Sequence, residues 1–198
     1  MKIYDISQEV LHSVVFPGDP IPQTQKIASM EKGDLYNLTT LSMCAHNGTH
    51  VDAPCHFIQN GKSVEELDLG KMVGHATVIH HDGVVSAEDA KIILKRQNDG
   101  GRYALKRILF KGKTIVSLEA AHVFAEAKID LLGNESQTVG PEDAPMAVHK
   151  VLLGAEVVLL EGIRLQDVPE GIYLLCAAPI SLAGADGAPC RAVLLDME

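Results

Sequence analysis

HNGTHVDAPCHF, residues 46 to 57, gathers three histidines and an aspartate into twelve positions, with glycine and proline between them. A regular helix would put His46 and His50 on one face, but Asn47, Gly48 and Pro54 all oppose a helix there. In an extended chain side chains alternate with a period of two, so His46, His50, Asp52 and His56 share one face. A straight strand still spreads them, because four residues span about 13 Å while two imidazoles on one metal ion need their nitrogens within a few ångströms. The stretch is therefore expected to bend. Gly48 can adopt dihedrals closed to other residues, and Pro54 ends ladder bonding. Histidines at shared parity with an aspartate favour a metal site over isolated, satisfied side chains. The other histidines, His12, His75, His80, His81 and His122, lack such company and read as ordinary surface or core residues.

Outward from the stretch, β and α segments alternate irregularly, giving an α/β class. MKIYDIS reads as a short strand, and residues 12 to 24, with three prolines, as a loop that cannot join a central ladder. YNLTTLSMCAHNG is β-prone through Leu38, Thr39, Thr40 and Leu41. Ser63 and Glu66 form a capping-box pattern opening the short helix SVEEL. MVGHATVIH reads as a strand, and SAEDAKIILKRQN as a helix capped by Ser86. RILF and the run VVLLE at 157 to 161 read as buried strands, SLEAAHVFAEA and PEDAPMAVHKVLLG as helices, and YLLCAAP and CRAVLLDM as closing strands. Gly154 is placed to end the helix that carries His149. Glu161 closes an apolar run, where a carboxylate is expensive to bury unless something cationic neutralises it.

The 198 residues fit one domain able to bury a full core without disulfide staples. No linker, repeat or low-complexity tract interrupts 1–198. The net charge of −9 and the lack of a Lys/Arg cluster argue against nucleic acid or an anionic membrane and favour a small-molecule partner. MKIYDISQEV has no apolar signal region and no segment reaches the roughly 20 apolar residues of a membrane span, so a cytoplasmic location is expected. Cys44, Cys55, Cys176 and Cys190 form no CxxC pair and read as reduced thiols in the core or near the site.

HNGTHVDAPCHF matches in full the HxGTHxDxPxHF motif of the putative cyclase family, metal-dependent hydrolases that include bacterial kynurenine formamidase (arylformamidase). The resemblance extends to DIS near the start, FPGD at 16 to 19, a later histidine and glutamate, and GADGAPCRAVLL, similar to the family's GxDGxPxRAV. It implies a swivelling β/β/α domain with a mixed central sheet or barrel-like core flanked by helices, and a homodimer or homotetramer. It also implies two divalent ions per chain, zinc first and manganese as the other candidate. By resemblance one ion takes His46, His50 and Asp52, the other Asp52 and His149, and Glu161 contacts both. His56 becomes the proton donor and acceptor, and Phe16 stands where the formamidases carry a pocket-lining tryptophan. Residues 133 to 141, GNESQTVGP, depart from the family's usual segment with serine and aspartate.

Two bridged divalent ions about 3.5 to 4 Å apart lower the pKa of a shared water toward about 7 and polarise a carbonyl, and a histidine beside them can protonate a leaving amine. An arylformamidase-like hydrolysis of N-formylkynurenine to kynurenine and formate heads the expectations. Another cyclic amide, imide or lactone, a metal-dependent cyclase or dehydratase, and a non-catalytic metal-binding protein are the competing readings.

Overall fold

The computed structural model describes residues 1–99 and 106–197. In chain order the strands and helices are β1 (Lys2–Asp5), β2 (Gln23–Ala28), β3 (Leu38–Ser42), β4 (His50–Asp52), β5 (Val73–His80), β6 (Gly83–Val85), α1 (Ala87–Asp99), β7 (Arg107–Lys111), β8 (Thr114–Val116), α2 (Leu118–Glu126), β9 (Leu131–Asn134), α3 (Met146–Gly154), β10 (Val158–Glu161), β11 (Gly171–Cys176), β12 (Gly187–Pro189) and β13 (Val193–Asp196). A mixed nine-stranded sheet runs β1-β13-β11-β5-β7-β9-β10-β4-β12, with β2-β3 and β6-β8 as separate two-stranded ribbons. This is the mixed sheet flanked by helices that the sequence implied.

The middle of the sheet is parallel. β5, β7, β9 and β10 pair in register Thr77↔Ile108, Ile108↔Leu132 and Leu159↔Leu132. Parallel neighbours need crossover connections, and α1, α2 and α3 supply them. Both faces of β9 and β10 and of the middle of β7 are buried, so residues 108–110 and 158–160 are continuously apolar rather than alternating. Ile108, Phe110, Leu132 and Leu159 point to the helices, where they meet Ala90 and Ile93 of α1, Ala121 and Phe124 of α2, and Val148 and Leu152 of α3. Leu109, Leu131, Val158 and Leu160 point the other way. They meet Ala76, Val78, Tyr173, Leu175 and Leu194 from other strands, and Ile163, Leu165 and Val168 from loops. No helix residue enters this second cluster among the described residues, so the sheet curls over its own side chains.

Local signals largely set the helix starts. Ser86 Oγ accepts the Asp89 amide at 3.2 Å, and Ser117 Oγ accepts that of Ala120 at 3.1 Å. The capping-box segment at 63–67 is one 3-10 turn, Val64–Glu66, with the Glu66 carboxylate accepting the Ser63 amide at 2.9 Å.

Two expectations require correction. PEDAP is not helical, and α3 begins only at Met146, because Pro145 disfavours the helical region for Ala144 and supplies no amide of its own. Gly154 is still inside α3, and the left-handed residue that turns the chain is Glu156, at φ 58°. The Glu156 carboxylate meets Lys62 Nζ at 2.6 Å. No helix among the described residues is long and apolar enough to cross a membrane.

Candidate metal centre

Strand parity delivers the site. β10 and β4 are antiparallel with Glu161 opposite His50 and Leu159 opposite Asp52. Val51 and Leu160 face the curled interior, so His50, Asp52 and Glu161 all emerge on the helix face. α3 packs on that face through Val148, Leu152 and Leu153, which places His149 above the end of β10. The expected bend precedes β4: Gly48 takes φ 70°, and the His46 and His50 rings lie 5.1 Å apart. Pro54 then opens a 3-10 turn that carries His56.

The ring nitrogens are committed before any ion is considered. His50 Nδ1 lies 3.0 Å from the Gly48 carbonyl and His149 Nδ1 2.9 Å from the Pro145 carbonyl. A carbonyl only accepts, so each Nδ1–H donates there and each Nε2 points into the cluster, the arrangement a metal-binding imidazole requires. Asp52 Oδ1 is 2.8 Å from His46 Nδ1 and 3.4 Å from His50 Nε2, while Asp52 Oδ2 is 3.5 Å from His149 Nε2. Glu161 reaches both sides, with Oε1 3.1 Å from His149 Nε2 and Oε2 3.5 Å from His50 Nε2. Oε1 also accepts the Val139 amide at 2.8 Å.

This donor set fits divalent metal. Asp52 and Glu161 are 1% and 2% exposed, and among the described residues no lysine or arginine pairs with either. Burial disfavours charge on His50, yet hydrogen bonds to Asp52 and Glu161 overcome it and push its pKa up to about 10. For His149 the same opposition, won by Glu161, gives about 9. Burial would also raise the Asp52 carboxyl, but His46 and His50 hold it well below the usual carboxylate range. The carboxylates thus demand cationic partners, a demand a divalent ion meets by displacing protons. The geometry agrees, since four donors about 2.1 Å from one ion lie about 3.4 Å apart, close to the longer contacts here. His46, His50 and Asp52 form one such group, and Asp52, His149 and Glu161 another.

Beside the cluster opens a pocket of about 380 Å³. Phe16 lines it, together with His56 and Phe57. Gln137 and Thr138 form part of the same wall. Cys44 also borders it, and all four cysteines are free. None of the five histidines set aside lines it. Asp186, which carries no assigned role in the sequence pattern, has its Oδ2 2.9 Å from His46 Nε2 and 3.1 Å from His56 Nδ1. The segment GADGAPCRAVLL was the signal that could have found it.

Residues 4–141 match the family model described as "Putative cyclase". A kynurenine formamidase from Salinibacter ruber is 35% identical, the alignment covering 99% of this chain and 98% of the relative. The chain belongs to the putative cyclase family. Another relative, a kynurenine formamidase from Bacillus anthracis, is 34% identical over 98% of this chain and 97% of its own. A solved structure described as a potential metal-dependent hydrolase with cyclase activity superposes with a TM-score of 0.80. It is 27% identical, covering 100% of this chain and 98% of that one. The family-model match spans Phe16 and the four clustered residues of the opening stretch, while His149, Glu161 and Asp186 lie beyond it.

β12 closes the site in this cyclase-family chain. Gly187 pairs with Asp52, and a Cβ on it would sit 2.7 Å from His46 Cε1 and 2.8 Å from the Val51 carbonyl oxygen. The Val51 carbonyl cannot retreat, because β4 is held on both edges, and the His46 ring is held between Asp52 and Asp186. Gly187→Ala is expected to destabilise the protein by about 1–3 kcal/mol through overpacking, read as a lower urea midpoint. An unchanged midpoint would mean that β12 yields freely.

Proposed function

We propose that this chain is a metal-dependent hydrolase of amide-type C–N bonds, with an N-formyl arylamine of the N-formylkynurenine type as its substrate. The observation that carries the reading is Asp52, a buried carboxylate with one oxygen toward His46 and His50 and the other toward His149. The kynurenine formamidase relatives, which span the whole chain, support the substrate class.

Two divalent ions, zinc or manganese, held by His46, His50, Asp52, His149 and Glu161 would supply acidified water and a polarised carbonyl. The chain's own groups do the rest. Phe16 and Phe57 offer aromatic surface to an aryl ring beside the cluster. His56 stands on the pocket wall outside the two inner groups, 27% exposed, its ring 6.3 Å from that of His149. Its free ring nitrogen accepts a proton from the attacking water and returns it to the departing nitrogen, because an amine leaves far more readily once protonated.

Stripping the protein with a chelator is expected to lower N-formylkynurenine hydrolysis at least about 100-fold, and adding back zinc or manganese to restore it, with kynurenine and formate as equimolar products. A stripped protein that kept its rate would refute the metal dependence. A reloaded protein that released no formate would refute the substrate class.

A further inference from the structure

One carboxylate oxygen joins the buried cluster to the pocket. Asp186 Oδ2 contacts His46 Nε2 at 2.9 Å and His56 Nδ1 at 3.1 Å, and the two rings lie 4.1 Å apart with a 30° tilt. An ionised carboxylate can only accept, so both rings donate to it. His46 is thereby left with Nδ1 toward Asp52 Oδ1, and His56 with Nε2 as the ring atom free to meet substrate. Phe57 closes on the His56 ring edge-on at 4.3 Å.

The backbone beneath this carboxylate is firmly tied, although the Asp186 side chain is 49% exposed. The Asp186 carbonyl accepts the Ala53 amide at 2.9 Å, and the Ala185 carbonyl accepts that of Val64 at 2.9 Å. Gly184 N donates to Glu65 Oε1 at 2.9 Å, and the next strand starts at Gly187, opposite Asp52. Residues 184–187 are therefore laced to the chain on both sides of His56. A side chain delivered from so fixed a strap can hold a ring in one orientation.

We propose that Asp186 is a positioning residue: it fixes the tautomer and orientation of His56, and it couples that ring to the cluster through His46. The inference rests on the proton-transfer role assigned to His56 above. His46, His56 and Asp186 could also gather an ion of their own. Short contacts of 2.9 and 3.1 Å to nitrogens able to donate favour hydrogen bonding instead.

The test uses the full-length, metal-loaded protein. Asp186→Asn is expected to keep two ions per chain and a KM within about twofold, while kcat falls about 10–100-fold, the usual penalty for losing such an outer partner. In a His56→Ala background the same substitution should cost less than about twofold, since its effect passes through the missing ring. An undiminished loss in that background would overturn the proposal, as would loss of an ion or a third ion per chain that Asp186→Asn removes. Long-range ¹⁵N–¹H NMR of the His56 ring gives a readout independent of turnover. The proton should reside on Nδ1 in the unsubstituted protein and redistribute toward Nε2 in Asp186→Ala. An unchanged tautomer defeats the Asp186 proposal by itself. A protein that turns over no amide but shows the tautomer change defeats the functional reading and leaves this contact standing.

Discussion

If the proposed pair of ions is bound, Asp52→Ala should leave fewer than one ion per chain in place of two, and kcat/KM should fall by at least about 10³, the loss of several kcal/mol of metal-borne stabilisation. Asp52 is singled out by its position between the two histidine groups. His46 and His50 meet one oxygen, and His149 faces the other, which has no hydrogen-bond partner among the described residues. Removing a single histidine would thin one group, whereas removing this carboxylate takes a donor and a charge from both. The backbone should tolerate the change, because β4 is held between β10 and β12 and Asp52 lies between the fully buried Val51 and Ala53. Asp52→Asn separates charge from shape. It fills the same space without the negative charge and should lose metal nearly as completely. Elemental analysis with activity measured on the same samples decides the matter, and two tightly held ions in Asp52→Ala would rule out bridging.

How much of this was readable in advance depended on distance along the chain. The bend at Gly48 and the shared parity of His50 and Asp52 were legible, because both follow from a few consecutive residues. β7 and β10 announced themselves as uninterrupted apolar runs. β9, which lies between them, did not, since four residues ending in Gly-Asn are too few to establish a period. β12 was hidden for the same reason: a three-residue strand, Gly-Ala-Pro, carries almost no β signal until Asp52 pairs with its first residue. Asp186 was lost with it. It approaches His46 from 140 positions away, so GADGAPCRAVLL could mark the segment, while the contact itself comes from a tertiary pairing. His149 and Glu161 are the intermediate case. Each alone reads as an ordinary helix or strand-end residue, and the opposition of Glu161 to His50 is what joins them to the opening stretch.

His56→Ala is expected to lower kcat by about 10²–10⁴ while both ions stay bound, the range spanned by losing a positioned general acid–base group. Retention follows from geometry, because the buried groups close without it: His46, His50 and Asp52 on one side, Asp52, His149 and Glu161 on the other. The folded state should also survive, since the ring is partly exposed and its hydrogen bond goes to the half-exposed Asp186. KM should move little, for the aryl ring is offered Phe16 and Phe57 rather than the imidazole. The truncation leaves ring-shaped space on the pocket wall, so added imidazole should recover part of the lost rate. It should recover none in Asp52→Ala, where the missing element is metal. A full rate in His56→Ala with both ions present would move proton transfer to another group. Loss of an ion on the same substitution would make His56 a ligand and reassign the cluster it shares with His46 and Asp186.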